Sequence, residues 1–205
     1  MKRKRCEITD RNEIDAILTR ARIGRMATAG ADGYPYITPV NYVYHRGSIY
    51  FHCSRVGEKL DNIRRDGRVC FEVDIPLAYL DLDYYGENPD GCGVSQFYQC
   101  VVLRGRAEIV EGIEEKVDAL NALVISHEPE GRKFQRITAD TKAVAQCEVV
   151  AVRIESVTGK REFAQKKSDE DKLRLASFLR KRNQPGDQEA ADWIVRLDRD
   201  GKVKA

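Results

Sequence analysis

Ile49-Tyr50-Phe51-His52-Cys53-Ser54-Arg55-Val56-Gly57-Glu58-Lys59 is the stretch from which the rest of the chain is read. Residues 48–53 favour a strand, a polar turn interrupts it, and Gly57 to Arg64 resumes as a short helix with Leu60 and Ile63 turned inward. A helix start presents unpaired backbone N–H groups and the positive end of the peptide dipoles, so an anion fits there. Ser54 offers a hydroxyl, Arg55 a two-pronged guanidinium and Lys59 a point charge in the first turn. On residue pattern alone two readings stay open: a phosphate cradle, or an ordinary strand-to-helix corner with solvated charges.

Toward the N-terminus, Asp10 has the form of a helix cap, with Glu13 as its capping-box partner. Ile14, Ile17, Leu18 and Ala21 share one face of a helix predicted over Arg11 to Ala21. Ile23 to Thr28 reads as a strand, Ala29 to Gly33 as a turn, and Tyr34 to Tyr44 as a further strand. Pro35 and Pro39 cannot donate to a ladder, so this strand belongs at an edge or carries a bulge. Arg46-Gly47 turns the chain into the quoted stretch.

Toward the C-terminus, Arg68 to Asp74 reads as a strand and Pro76 to Ser95 as a long aromatic and acidic loop. Phe97 to Val110 reads as one strand or two with a bulge or bend at Gly105. A helix over Glu111 to Ser126 is apolar at Ile113, Val117, Leu120 and Val124. Val144 to Val157 is again β. A charged helix, Asp169 to Lys181, places Leu173, Ala176 and Leu179 on one side; Ala190 to Leu197 adds one turn carrying Trp193. Hairpin-linked strands with helices between them predict a mainly β, α+β chain: an antiparallel barrel with flanking helices and a C-terminal helical extension.

Lysine plus arginine is 35 and aspartate plus glutamate is 33, a net charge of +2, which argues against a nucleic-acid binder. The basic opening, Met1 to Arg5, reads as a solvated tail, with contact to nucleic acid or to a phosphate as the other reading. No apolar run reaches the ~18 residues of a membrane span, and no signal peptide precedes the first helix, so the expected compartment is the cytoplasm. The six cysteines form no CxxC pair and no zinc spacing; Cys70, Cys100 and Cys147 read as small core residues, and no metal site is expected. His45 and His127 read as surface residues.

Several stretches in order resemble the pyridoxamine 5′-phosphate oxidase-like flavoproteins, and within them the nitroimidazole-resistance-like branch. They are Pro35-Tyr36-Ile37-Thr38-Pro39-Val40-Asn41-Tyr42-Val43-Tyr44, Gly47 to His52, Gly57-Glu58-Lys59-Leu60, Arg68 to Asp74, Tyr98 to Ala107 and Val152 to Lys160. The resemblance spans about residues 7 to 161. It implies a split β-barrel of Greek-key type over residues 1–161, followed by a helical extension over 162–205. It implies a flavin, FMN or alternatively FAD, with its phosphate on Ser54 and Lys59. The ring then lies along Pro39, Val40, Asn41 and Tyr42, beside Phe51 and His52, with His52 as the candidate catalytic residue. Arg104 and Arg25 become candidate anion contacts. A homodimer with flavin at the interface is implied, completed by the partner's Tyr98 to Arg104 region. The implied activity is oxidoreduction of a small planar acceptor such as a nitroaromatic or a quinone. A flavin module without turnover, and a heme-binding relative using His52 or His127, are the alternatives. The tail after Arg161 lacks the arginine-rich substrate motif of true pyridoxamine-phosphate oxidases, so oxidation of vitamin B6 is not implied.

Overall fold

A computed structural model describes residues 3–204. In chain order the described residues form β1 (Glu7–Ile8), α1 (Arg11–Arg20), β2 (Ile23–Ala29), β3 (Pro35–Asn41), β4 (Val43–His45), β5 (Ser48–Cys53), α2 (Glu58–Arg65), β6 (Arg68–Leu80), β7 (Ser95–Ile109), α3 (Ile113–His127), β8 (Glu148–Glu162), α4 (Asp169–Arg182) and α5 (Asp187–Arg196). The sheet runs β3-β2-β6-β7-β8-β5-β4, with β1 on β8. The predicted class holds: an antiparallel sheet with flanking helices. Contacts divide the chain into two compact units, one of residues 15–73 and 102–157, the other of residues 3–14, 74–101 and 158–204.

In the first unit β2 pairs with β3 from Ile23↔Asn41 to Ala29↔Pro35, and β3 ends the sheet, which is where its two prolines belong. On its other side β2 pairs with β6, Arg25 opposite Glu72. The Phe71 ring lies so close to Gly24 that a Cβ there would sit 2.0 Å from it. Phe71 meets Tyr42 edge-on at 5.1 Å, and the Tyr42 phenol donates to the Leu18 carbonyl at 2.6 Å. That anchor interrupts the predicted single strand over 34–44: β3 stops at Asn41, Tyr42 turns into the core, and β4 begins at Val43. The α3 helix covers a second cluster built on Val43, Tyr50, Val110, Leu120 and Val149. Ile113, expected on its apolar face, is 46% exposed. Gly105 lies inside an unbroken β7, where a Cβ would fall 2.0 Å from the Arg153 carbonyl oxygen. The glycine therefore admits a neighbouring backbone. Val144 belongs to a short 3-10 helix, and β8 starts at Glu148, later than predicted.

In the second unit β6 continues to Leu80, through residues read from sequence as loop. The buried positions alternate through Val73 and Ile75, then resume at Ala78 and Leu80, one residue out of step. The slip falls at Pro76-Leu77 and hid the strand from a period-two reading. The remaining connection to β7 holds two 3-10 turns, Leu82–Tyr85 and Gly91–Gly93. Asp10 caps the Asn12 amide at 2.9 Å as expected. Glu13 turns away from the cap to pair with Arg161 and accept from Gln99. The α4 and α5 helices pack as a pair on Ala78, Leu80, Phe97 and Phe163. The buried face of α4 is Lys172, Leu175, Ala176 and Leu179, whereas Leu173 is exposed. The predicted single turn at Ala190 is a full helix from Asp187, and Trp193 stacks on Phe163 at 5.7 Å.

Candidate functional site

All of the predicted site residues lie in the first unit. The quoted stretch folds as expected. The β5 strand ends at Cys53, residues 54–57 are exposed, and α2 begins at Glu58. Gly57 caps the helix with φ 140°, a conformation that disfavours a side chain, and a Cβ there would meet nothing within 4 Å. Among the described residues no side chain caps this end. The Leu60 and Asp61 amides fold back onto the Gly57 carbonyl, at 2.9 and 3.3 Å. The helix start therefore faces open space with its first amides uncovered.

Ser54 and Arg55 are exposed and Lys59 is half-buried. Lys59 lies close enough to Cys53 to act on it electrostatically. Burial pushes the Cys53 thiol up, Lys59 draws it partly back, and Glu148 and Cys147 add to the rise. Glu148 stands opposite Cys53 in the β5–β8 ladder and lies 3.6 Å from Arg55 and 3.9 Å from Lys116. The Lys116 ammonium donates to the Cys147 carbonyl at 2.7 Å. Sequence reasoning missed Lys116: it lies in α3, and only the fold brings it to the same carboxylate as Arg55.

In β3, Pro39 and Asn41 are exposed on one face and Val40 is half-buried on the other. The Thr38 hydroxyl oxygen is buried and has no hydrogen-bond partner among the described residues. Tyr42 is spent in the core, and burial raises its phenol above the ordinary range. Phe51 is fully buried. Both can offer a ligand only backbone groups. The β3 and β5 strands approach each other without pairing, so the two stretches assigned to the ligand come from neighbouring elements. His52 is exposed, has no side-chain hydrogen bond among the described residues, and lines the α3 side of β5 with Tyr50, Ala119 and Leu120. Arg104 is exposed on β7 with no partner among the described residues. Arg25 pairs with Glu72 at 3.1 Å, the structural alternative. Of the remaining histidines, His45 meets Asp118 at 2.8 Å and His127 closes onto the Leu123 carbonyl at 3.1 Å.

An anion fits this corner. It offers open space beside Gly57, uncovered amides, a hydroxyl and the half-buried Lys59, and no side chain among the described residues fills the cradle. No group of metal-ligating side chains occurs among the described residues.

Residues 10–161 match the family model described as pyridoxamine 5′-phosphate oxidase. No curated protein sequence matches the chain. Solved structures share its fold. A candidate 5-nitroimidazole antibiotic resistance protein from Bacteroides thetaiotaomicron is 24% identical, with a TM-score of 0.62 over 76% of this chain and 86% of the other. An FAD and heme binding protein from Mycobacterium smegmatis is 20% identical, with a TM-score of 0.66 over 80% and 78%. A flavocytochrome from Azotobacter vinelandii is 18% identical, with a TM-score of 0.62 over 77% and 69%.

Proposed function

Because this chain belongs to the pyridoxamine 5′-phosphate oxidase family, we propose that the corner after β5 holds the phosphate end of a flavin and that the protein is an oxidoreductase acting on a small planar acceptor, a nitroaromatic or a quinone. The observation that carries this reading is the uncovered start of α2: Gly57 at φ 140°, no side-chain cap, and Ser54 and Lys59 beside it. One phosphate satisfies the corner, which favours FMN; FAD offers the same proximal phosphate and is named for one of the structural relatives. The bound flavin supplies hydride or electron transfer.

The chain's own residues bind and orient. Ser54 and Lys59 fix the anionic end, and the backbone of Pro39 to Tyr42 in the edge strand lies along the ring. The Thr38 hydroxyl gives that strand one unspent hydrogen-bonding group. His52, free of internal hydrogen bonds, is assigned the proton exchanged with the acceptor, and Arg104 an anionic group of the ligand. Residues 1–161 form the flavin domain and 162–205 its extension. A homodimer covers the open β3 edge. Among the described residues no helix is long and apolar enough to cross a membrane, the six cysteines are free, and the cytoplasm is the assigned compartment.

Titration of flavin-stripped protein with FMN tests the reading. Replacing Ser54 and Lys59 together by alanine removes charge-assisted bonds of about 1.5–3 kcal/mol each, so affinity falls by tenfold or more while the fold persists. Unaltered flavin retention in that variant rules out the phosphate assignment. The visible spectrum separates a flavin from the heme named for one of the structural relatives.

A further inference from the structure

Arg3 to Arg5, the described residues of the basic opening, belong to the second unit. The Cys6 amide donates to the Arg3 carbonyl at 3.0 Å, and the Cys6 side chain is 2% exposed. The Arg5 carbonyl oxygen lies where a Cβ on Gly201 would fall, 1.9 Å away, and Gly201 holds φ at +80°. The Gly201 turn is itself fixed, because Asp198 Oδ1 accepts from the Asp200 amide at 2.9 Å and the Lys202 amide at 2.7 Å. Between the segment and the turn lies a cleft of about 890 Å³. Arg161, 5% exposed, also lines it. Its guanidinium pairs with Glu13, donates to the Gly201 carbonyl at 2.6 Å and lies over the Trp193 ring at 5.4 Å.

Around this cleft the side chains of Arg3, Lys4, Arg5, Lys166 and Lys202 carry positive charge with no hydrogen bond or ion pair among the described residues. Arg161 cancels Glu13, so the opposing charges are Glu7, Asp10 and Asp200, and the Asp10 carboxylate already accepts the Asn12 amide. The backbone of Arg3 to Arg5 is held by the contacts above, so these five cations line one concavity against three carboxylates, a positive surplus. A multivalent anion complements that surplus, and the volume lies within the range of small-molecule sites, roughly 300–1,000 Å³. The lining includes no aromatic ring on which a base could stack.

We propose that this cleft is an anion site for a compact condensed phosphate, a diphosphate or triphosphate group, separate from the flavin corner. The test is calorimetric titration of the full chain with inorganic tripolyphosphate at low salt. The expected result is one site per chain that weakens as salt rises. Lys166→Ala with Lys202→Ala should weaken it about tenfold or more. Both lysines are exposed, so a thermal melt of the double variant should match the parent. Binding should survive Ser54→Ala with Lys59→Ala. No heat in the parent chain overturns the proposal. So does equal affinity after loss of Lys166 and Lys202, or loss of binding only in the Ser54 and Lys59 variant, which places the anion at the corner.

Discussion

At the scale of single residues, the positions most sensitive to substitution are those where backbone or ring occupies the space of a missing Cβ. Gly24 and Gly105 both leave only 2.0 Å for that atom, but their neighbours differ. At Gly24 the obstacle is the Phe71 ring, and at Gly105 it is the Arg153 carbonyl in a paired strand. A ring can shift at the typical overpacking cost of about 1–3 kcal/mol, whereas a ladder carbonyl cannot move without losing its bonds. Gly105→Ala should therefore lower the denaturation midpoint more than Gly24→Ala in parallel urea melts. The reverse order would mean that β7 and β8 separate more easily than the Phe71 ring turns.

At the scale of elements, the α4–α5 pair depends on polar groups as well as on its apolar face. Ser168 caps α4 by accepting from the Asp171 amide at 3.1 Å, so Ser168→Ala should cost about 1 kcal/mol in a chemical melt. Arg182 near the end of α4 pairs with Asp187 at 2.7 Å and with Asp81. Burial pushes the Asp187 carboxyl up, but Arg182 and the Gln184 amide outweigh it and hold the group below the usual carboxylate range. A carboxyl depressed in the folded state stabilises the protein above its unfolded value, about 3.9, and loses that contribution as pH falls through the folded value. The melting temperature should thus fall as pH drops below about 4. Asp187→Asn should be less stable at neutral pH and show a shallower acid decline; parallel declines in parent and variant would remove Asp187 from the acid response. The slip at Pro76-Leu77 belongs to this scale too. Alternation is legible only while it stays in step, which is why β6 looked shorter in the sequence than it is.

At the scale of the whole molecule, the uncovered edge is the feature with the widest consequence. Ile23 and Ile37 share one face of the β2–β3 hairpin, at 51% and 60% exposure, with β3 unpaired on its outer side. Such an edge invites a second chain. On the dimer reading, sedimentation at micromolar concentration should give a dimer, and Ile37→Glu should shift it toward monomer and loosen the flavin. A parent chain that sediments as a monomer would leave the edge exposed in solution and the flavin without a second wall.

The sequence by itself marked the strand-to-helix corner, the approximate places of most strands and, through its prolines, β3 as a strand at an edge or with a bulge. Each of these rests on periodicity, on a proline's missing donor or on the order of adjacent residues, and neighbours in the chain carry that information. Only the tertiary structure decided that Glu13 leaves its cap for Arg161, that Tyr42 is a core residue, that Lys116 joins Arg55 at Glu148, and that Arg5 packs against Gly201. The physical reason is range. Pairing of a buried charge or packing of a ring is settled by groups far away in sequence, and local pattern carries no record of which of them will arrive.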